Sequence, residues 1–169
     1  LFKGLPAGPG SACGEIAFTS ADVVRATRMG KKVILVREET NPEDVEGMRD
    51  AVGVLTARGG MTSHAALVAR GWGKSCIVGA SDMQVDATNK TLKVGDKTLR
   101  EGALLTMNGS AGTVYEGALR LVEPTAGEDY AEFLRFMSIV DKLRTMGVRA
   151  NADTAVDARK ARSFGAEGI

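Results

Sequence analysis

The hydrophobic and polar positions of the first half of the chain form short apolar runs separated by amphipathic stretches. The runs typical of strands are residues 15–18, 33–36, 52–56 and 76–78, and the helical patterns are residues 21–29, 42–51 and 63–70. Residues 1–14 are rich in Gly and Pro and are predicted to be a loop. Strands that alternate with helices indicate an α/β layered core, which is the fold class that we predict.

Local signals predict where two of these helices begin or end. The stretch Thr40-Asn41-Pro42-Glu43-Asp44 provides a cap residue, a proline suited to the first helical position and acids for the first turn. Gly71 follows the last apolar position of the third helix and is predicted to be its C-cap.

The second half of the chain has a different pattern. Short strands around turns are predicted at residues 91–94, 98–100, 104–107 and 113–115. We expect them to close a first domain at residues 1–122. Composition becomes linker-like at residues 123–127, and apolar positions at helical spacing from Tyr130 to Leu143 predict an amphipathic helix, so residues 123–147 are assigned as linker and helix.

The last segment, residues 148–169, has the pattern of one strand and helix unit followed by the start of another. A strand is predicted at residues 148–152, a helix at 154–164 and a second strand at 165–169. The pattern stops in the middle of a unit, and the chain lacks an initiating Met. We therefore expect Leu1 to begin an excised piece of a longer protein.

Composition excludes several classes of function. The 169 residues carry a formal net charge of +1 without a basic stripe, and no apolar run approaches the roughly 20 residues that span a bilayer. We therefore expect neither nucleic acid nor membrane as a partner. Cys13 and Cys76 are far apart and form no CxxC pair, so no disulfide framework or metal site is predicted. A reducing compartment, the cytosol by default, is expected.

The only histidine, His64, lies in the most informative stretch of the sequence, residues 58–71. An imidazole can act as a nucleophile, and this one begins an apolar helix. Gly59 and Gly60 allow the backbone to approach a bulky anion, while Thr62 and Ser63 supply hydroxyl and N–H groups at the helix start. A lone histidine is more often structural, but these neighbours favour a phosphate-handling site.

Other chemistry at this stretch is poorly supported. Neither GxxxxGK[ST] nor GxGxxG occurs, so the chain has no nucleotide-binding motif of its own. Ser63 does not lie in a GxSxG motif, and no second histidine exists to serve as its base. One histidine and two separated cysteines also make a zinc site improbable.

Residues 59–70 resemble the phosphohistidine signature of the phosphoenolpyruvate-utilising enzymes. Within that family, Met61-Thr62-Ser63-His64 followed by Gly71-Trp72-Gly73-Lys74 and Cys76 looks most like the pyruvate phosphate dikinase branch. Phosphoenolpyruvate synthases typically carry Arg and Cys at the places of Met61 and Ser63, and enzyme I carries Arg at the place of Met61. The further stretches that are similar to dikinases are Gly4-Leu5-Pro6-Ala7, Thr40-Asn41-Pro42-Glu43-Asp44 and Asn151-Ala152-Asp153-Thr154. The resemblance thus covers essentially the whole chain.

The resemblance implies a fold for each part of the chain. Residues 1–122 would be a swivelling phosphohistidine domain of β/β/α type, and residues 148–169 would be the first βα unit of a truncated (β/α)₈ barrel that binds phosphoenolpyruvate and pyruvate. An ATP-grasp domain of the same polypeptide would load His64, and the barrel would receive the phosphoryl group. Mg²⁺ would be bound outside this chain, and the full-length enzyme would be a homodimer.

The implied reaction converts ATP, pyruvate and phosphate into AMP, phosphoenolpyruvate and diphosphate, with His64 as the covalent relay. The excised chain is not expected to turn over, because both substrate sites would lie outside it. Two alternatives remain at this point. One is a module of a phosphoenolpyruvate synthase-like dikinase, and the other is a non-catalytic binding or regulatory module. The expected compartment is the cytoplasm, or a plastid or other organelle in a eukaryote.

Three residues acquire possible roles from the resemblance. Thr62 resembles the threonine that a regulatory kinase and phosphatase modify in plant dikinases, although a helix-cap hydroxyl is the simpler interpretation. Arg70 matches an arginine that could steady the phosphoryl group, or it is a cation favoured by the helix C-terminus. Because six residues separate it from His64, it does not share that residue's helix face. Thr40 matches a threonine that hydrogen-bonds the histidine, or it is a helix N-cap.

Overall fold

The computed structural model describes residues 1–122 and 128–169, which form two compact units, Leu1–Leu121 and Val122–Ile169. The strands are β1 (Phe2–Lys3), β2 (Leu5–Gly8), β3 (Ser11–Ala17), β4 (Val33–Arg37), β5 (Gly53–Thr56), β6 (Ser75–Val78), β7 (Met83–Asp86), β8 (Thr91–Val94), β9 (Lys97–Arg100), β10 (Leu104–Asn108) and β11 (Thr113–Glu116). The α-helices are α1 (Ser20–Arg28), α2 (Val45–Asp50), α3 (His64–Gly71), α4 (Glu128–Leu143) and α5 (Ala155–Ser163). None of these helices is long and apolar enough to cross a membrane.

The first unit is built on an eight-stranded sheet with the strand order β1-β11-β10-β3-β4-β5-β6-β2. Its central strands, β3 to β6, run parallel to one another, and the outer strands pair antiparallel. Helices α1, α2 and α3 connect the successive parallel strands, as a parallel pairing requires a crossover. A second sheet contains β7, β8 and β9.

The large sheet is buried on both faces, which gives the first unit three layers. Along β4, Val33 and Leu35 pack with the helices, whereas Ile34 and Val36 pack with the small sheet. Because successive strand residues point to opposite faces, a strand buried on both sides reads as a continuous apolar run. The predicted α/β core is therefore confirmed, with its layers in the order small sheet, large sheet, helices.

The prediction that residues 1–14 form a loop is wrong, because they contain β1, β2 and the beginning of β3. Their glycines reflect close packing between strands. A Cβ at Gly8 would lie 2.3 Å from the carbonyl oxygen of Lys74, and one at Gly14 would lie 2.7 Å from that of Lys32. Glycine in a strand marks such a close backbone approach as well as a turn. The sequence pattern does not predict β7. Of the strands predicted in the second half of the chain, β10 and β11 belong to the large sheet, whereas β8 and β9 belong to the small one.

Two predicted helix ends also differ from the structure. The chain forms a 3₁₀ turn at Pro42–Asp44 before α2 begins, so the single helix predicted for residues 42–51 is in two parts. Gly71 is the last residue of α3 and Trp72 is the C-cap, so the prediction that Gly71 caps this helix is wrong. The left-handed backbone conformation that often follows a helix occurs at Gly73, whose φ is +63°.

The regular elements of the second unit are the helices α4 and α5. Helix α5 begins after the N-cap Thr154, whose side chain accepts a hydrogen bond from the Asp157 amide. The strands predicted at residues 148–152 and 165–169 are absent as regular elements, and one parallel bridge joins Arg149 and Gly168. A lone parallel pair has no neighbouring strands to stabilise it. The linker predicted at residues 123–127 lies outside the described residues.

Candidate functional site

The site residues predicted from the sequence lie where β4 and β5 end. The chain that leaves β4 carries Thr40, and the chain that leaves β5 carries residues 58–64. Beyond the paired strands, the Ala57 amide donates to the Arg37 carbonyl at 3.1 Å and the Arg58 amide donates to the Glu38 carbonyl at 2.9 Å. Since the carboxyl ends of parallel strands meet at one edge of a sheet, two segments far apart in sequence come together there.

A sharp turn follows β5 and depends on Gly59. Its φ is +101°, in the region that side chains other than glycine rarely adopt. A Cβ on Gly59 would also lie 3.0 Å from the Ser63 side chain. Gly60 differs, because a Cβ there would meet no atom within 4 Å. A role for Gly60 in admitting a bulky anion therefore stays a prediction.

The start of α3 is fixed by Ser63. This residue is the N-cap, and its hydroxyl accepts a hydrogen bond from the Ala66 amide at 3.4 Å. The interpretation of Thr62 as the helix cap is therefore wrong, and its side chain is exposed. On the inner face, Ala65, Ala66 and Ala69 are buried.

His64 is the first residue of α3 and is half-buried beside Thr40. The distance between Thr40 Oγ1 and His64 Nδ1 is 3.3 Å, and Thr40 itself is buried. The N-cap of the following turn is Asn41, so the alternative interpretation of Thr40 as that cap is wrong. Among the described residues, His64 Nε2 has no hydrogen-bond partner. The arrangement engages one ring nitrogen, and none of the described residues forms a hydrogen bond with the other.

Sequence reasoning did not identify the residues that hold the Thr40 loop. The carboxylate of Asp44 accepts hydrogen bonds from the Asn41 amide at 3.0 Å and from Arg37 Nε at 3.2 Å. Arg37 also donates to the carbonyl of Phe18 at 3.1 Å. The spacing of Asn41 and Asp44 is that of a capping box, which is the signal that could have indicated this loop.

Arg70 folds back from the last turn of α3 to the loop before it. Its Nη2 atom donates to the carbonyl of Met61 at 2.6 Å, which ties the loop to the helix that it starts. It also lies in the last turn of the helix, where a cation is favoured. A direct contact with a phosphoryl group stays a prediction. Behind the helix, Cys76 is fully buried, and this burial raises the pKa of its thiol to about 12.

The side chains near the imidazole do not form a magnesium site. Among the described residues, no group of three or more His, Cys, Asp or Glu side chains is placed to hold a metal ion. Two of the carboxylates in the segment that carries Thr40 are paired with arginines, Glu38 with Arg58 and Asp44 with Arg37. Because Mg²⁺ is held by carboxylates together with substrate phosphates, we assign no step through the metal to these residues.

Comparison with known proteins gives the same family for the central part of the chain and for its whole length. Residues 29–112 match the family described as "PEP-utilising enzyme, mobile domain". The whole chain is 55% identical to "Pyruvate, phosphate dikinase 2" of Oryza sativa subsp. japonica over 169 residues, which is 19% of that protein. It is 51% identical to "Pyruvate, phosphate dikinase" of Rhizobium meliloti over 99% of this chain and 18% of that protein.

The name of a third relative includes a compartment. "Pyruvate, phosphate dikinase 1, chloroplastic" of Arabidopsis thaliana is 53% identical over 99% of this chain and 17% of that protein. The chain thus spans less than a fifth of the length of these curated relatives. The solution structure of an Enzyme I protein is 21% identical, with 63% of this chain and 38% of that chain covered. Its TM-score of 0.37 is too low to establish a common fold.

Proposed function

Because the chain belongs to the phosphoenolpyruvate-utilising enzymes, we propose that its first unit is the mobile phosphohistidine domain of a pyruvate phosphate dikinase. In this proposal His64 is the catalytic residue, and its Nε2 atom accepts and then donates a phosphoryl group. The observation that carries the proposal is the 3.3 Å contact between Thr40 Oγ1 and His64 Nδ1.

That contact supports a particular form of the imidazole. A neutral imidazole carries one proton, and its other nitrogen has the lone pair needed for attack. When the proton is on Nδ1, the Thr40 oxygen accepts it in a hydrogen bond, and Nε2 becomes the nucleophile. Thr40 would thus select the tautomer that presents Nε2 to a phosphoryl donor.

The transfer step follows from this geometry. The Nε2 lone pair forms a bond to phosphorus while the bond from phosphorus to the donor oxygen breaks, and that electron pair leaves with the oxygen. Nδ1 keeps its proton and its hydrogen bond to Thr40. In the return step, an acceptor oxygen attacks phosphorus and the electron pair of the nitrogen–phosphorus bond returns to Nε2. The positive end of the helix dipole at the start of α3 favours negative charge on the phosphoryl group.

The complete reaction needs parts that the relatives contain beyond the matched region. We propose that an ATP-grasp domain of the same polypeptide phosphorylates His64 from ATP with phosphate as co-substrate. A (β/α)₈ barrel, to which residues 148–169 contribute the first βα unit, then transfers the phosphoryl group to pyruvate. In the domain division that we propose, residues 1–122 form a domain that swivels between these two sites. Residues 123–147 connect this domain to the barrel. Mg²⁺ is the cofactor of the nucleotide half-reaction.

Thr62 is a candidate for regulation of the same site. Its side chain is exposed, and the capping role belongs to its neighbour Ser63. Phosphorylation would place a dianion two residues from His64, and like charge would then oppose an incoming phosphate. A regulatory kinase and phosphatase are therefore proposed partners.

Labelling of the intact enzyme tests the proposal. Incubation with phosphoenolpyruvate labelled in its phosphate should give an acid-labile, base-stable label on His64. His64→Asn should abolish this label while leaving the thermal unfolding curve within error of the original. Retention of the label in the variant would contradict the proposal, and loss of the folding transition would show that the histidine is structural.

Two further measurements separate the related alternatives. A requirement for inorganic phosphate in the ATP-dependent half-reaction distinguishes a pyruvate phosphate dikinase from a synthase-like dikinase. The 169-residue chain alone should show no steady dikinase activity, because both substrate sites are assigned to other domains. Full biological activity of His64→Asn would instead favour a non-catalytic binding module.

A further inference from the structure

We propose that Asp44 is a positioning residue for His64 and acts through Thr40. The inference rests on the proposed function of His64, and concerns which ring nitrogen carries the proton. Asp44 touches neither the imidazole nor, in the proposed reaction, the phosphoryl group. Its effect would be to fix the backbone at Thr40 and thereby the position of the Thr40 hydroxyl.

The contacts of Asp44 are those of a structural clamp. Asp44 is only 4% exposed, and a buried carboxylate is stable only where hydrogen bonds and a cation compensate for lost water. Its Oδ2 atom accepts from the Asn41 amide at 3.0 Å and from Arg37 Nε at 3.2 Å. Arg37 lies at the end of β4 and also donates to the Phe18 carbonyl, so the clamp is anchored in the large sheet.

The clamp acts next to the residue that contacts the histidine. Thr40 directly precedes Asn41, so fixing the Asn41 amide fixes the peptide unit that follows the Thr40 side chain. The distance from Thr40 Oγ1 to His64 Nδ1 is 3.3 Å, near the upper limit for a hydrogen bond of this kind. A small displacement of the loop would therefore weaken the contact strongly.

The chemical consequence is a shift between imidazole tautomers. A histidine in water places its proton mainly on Nε2, the atom that must be unprotonated to attack phosphorus. When Thr40 Oγ1 accepts a hydrogen bond from Nδ1–H, the tautomer with its proton on Nδ1 is favoured instead. Release of the loop in Asp44→Asn should reduce the ratio of the Nδ1–H to the Nε2–H tautomer by about two-fold to ten-fold, the range expected for loss of one ordinary hydrogen bond.

The chain contains a matched control in Asp22. This aspartate is also buried, at 5% exposure, and lies three residues after its N-cap Thr19, as Asp44 does after Asn41. It is paired with Arg25 and Lys90, at a different place in the first unit. Asp22→Asn therefore removes a comparable buried charge whose hydrogen-bond partners are Thr19, Arg25 and Lys90, none of which belongs to the Thr40 loop.

Nitrogen NMR of the isotopically labelled 169-residue chain measures the tautomers directly, because His64 is the only histidine. The unsubstituted chain should carry the proton mainly on Nδ1. Asp44→Asn and Thr40→Val should both shift it toward Nε2, and the double variant should shift it no further than Thr40→Val alone. Asp22→Asn should leave the ratio unchanged. Arg37→Lys keeps the positive charge but removes the Nε–H group that donates to Asp44, so it should give a smaller shift. This variant provides the test if Asp44→Asn does not fold.

Three outcomes would overturn the inference. The first is a proton mainly on Nε2 in the unsubstituted chain. The second is an unchanged tautomer ratio in folded Asp44→Asn or, if that variant does not fold, in Arg37→Lys. The third is a shift of the tautomer ratio in Asp22→Asn as large as that in Asp44→Asn. The readout requires no phosphoryl transfer, so the two proposals can fail separately. Labelling of His64 with no effect of Asp44 rejects the positioning role alone, whereas a tautomer shift without labelling rejects the proposed function alone.

Discussion

The two units of the chain differ in how they use their apolar side chains. The first unit, Leu1–Leu121, buries many of its large ones in two clusters, and Phe18, Ile34 and Leu55 are inaccessible to solvent. The second unit, Val122–Ile169, exposes its large ones, with Phe136 at 63% and Phe164 at 80% exposure. The first unit therefore has its own hydrophobic core, whereas residues 128–169 of the second unit form none of comparable size.

This difference matters for the candidate site. Thr40, His64 and the segments that carry them belong to the unit with the core, so their geometry is fixed by packing within that unit. Residues 148–169 are proposed as the first βα unit of a barrel, and further units of that barrel would cover the apolar surface of the second unit. Similar residues of the two units can therefore be compared in pairs.

The largest expected difference is between two phenylalanines. Phe18→Ala should reduce the free energy of unfolding by about 3–5 kcal/mol, because it removes a fully buried ring from the core between the sheets. Phe136→Ala, on the exposed face of α4, should change it by less than about 0.5 kcal/mol. Urea denaturation followed by circular dichroism measures both. Equal changes in the free energy of unfolding would show that Phe136 contributes to cooperative folding as much as Phe18 does.

A smaller and pH-dependent difference is expected between two carboxylates. Burial alone would raise the pKa of Asp22, but hydrogen bonds from Lys90, Thr19 and Arg25 outweigh it and hold this pKa below its usual value. The folded pKa is then below the unfolded one, so the stabilisation is present above about pH 4 and is lost as pH falls through the folded value. Asp22→Asn should lower the free energy of unfolding by about 1–3 kcal/mol at pH 7.

The paired variant in the second unit is Glu167→Gln. A hydrogen bond from Arg144 lowers the pKa of Glu167, yet this side chain is half exposed. Its removal should therefore leave the unfolding of the first unit unchanged at every pH. Unfolding curves from pH 3 to 8 test the pair. The Asp22 difference should shrink at the acidic end, and a constant difference across that range would argue against the ion pairing as its cause.

The smallest expected difference is between two glycines with similar backbone conformations. Gly59 has a φ of +101° and Gly165 a φ of +97°. Gly59→Ala should lower the free energy of unfolding by about 1–2 kcal/mol, since alanine is strained in this region. The new methyl group would also meet the Ser63 side chain. At Gly165 an added Cβ would meet no atom within 4 Å, and Gly165→Ala should not alter the unfolding midpoint of the first unit. A clear stabilisation by Gly59→Ala would contradict the observed turn.

Local sequence patterns predicted the elements whose burial pattern can be read from a few consecutive positions. The apolar run of residues 33–36 is β4, and residues 91–94 match β8 from end to end. The stretch after the glycine pair forms α3, with its first residue at His64 rather than Ser63. These elements follow from burial periodicity and capping, which act over a few residues.

Other features depended on partners that no local pattern reveals. The glycines of residues 1–14 predict turns, but Gly8 and Gly14 lie where the neighbouring backbone is too close for a side chain. The predicted strands at residues 148–152 and 165–169 have the right composition, yet only one bridge forms between them. Arg70 could not be placed from its spacing, because its reach to the Met61 carbonyl depends on the path of the loop.

The sequence by itself determined the chemical identity of the candidate site. It marked His64 as the single imidazole, with glycines and hydroxyls before it and an apolar helix after it. Tertiary structure decided which ring nitrogen is engaged, since Thr40 reaches Nδ1 from a segment 24 residues away, held in place by Asp44. The physical reason is that side-chain chemistry is carried by the residue itself, whereas orientation depends on contacts between chain segments that only the packed parallel sheet brings together.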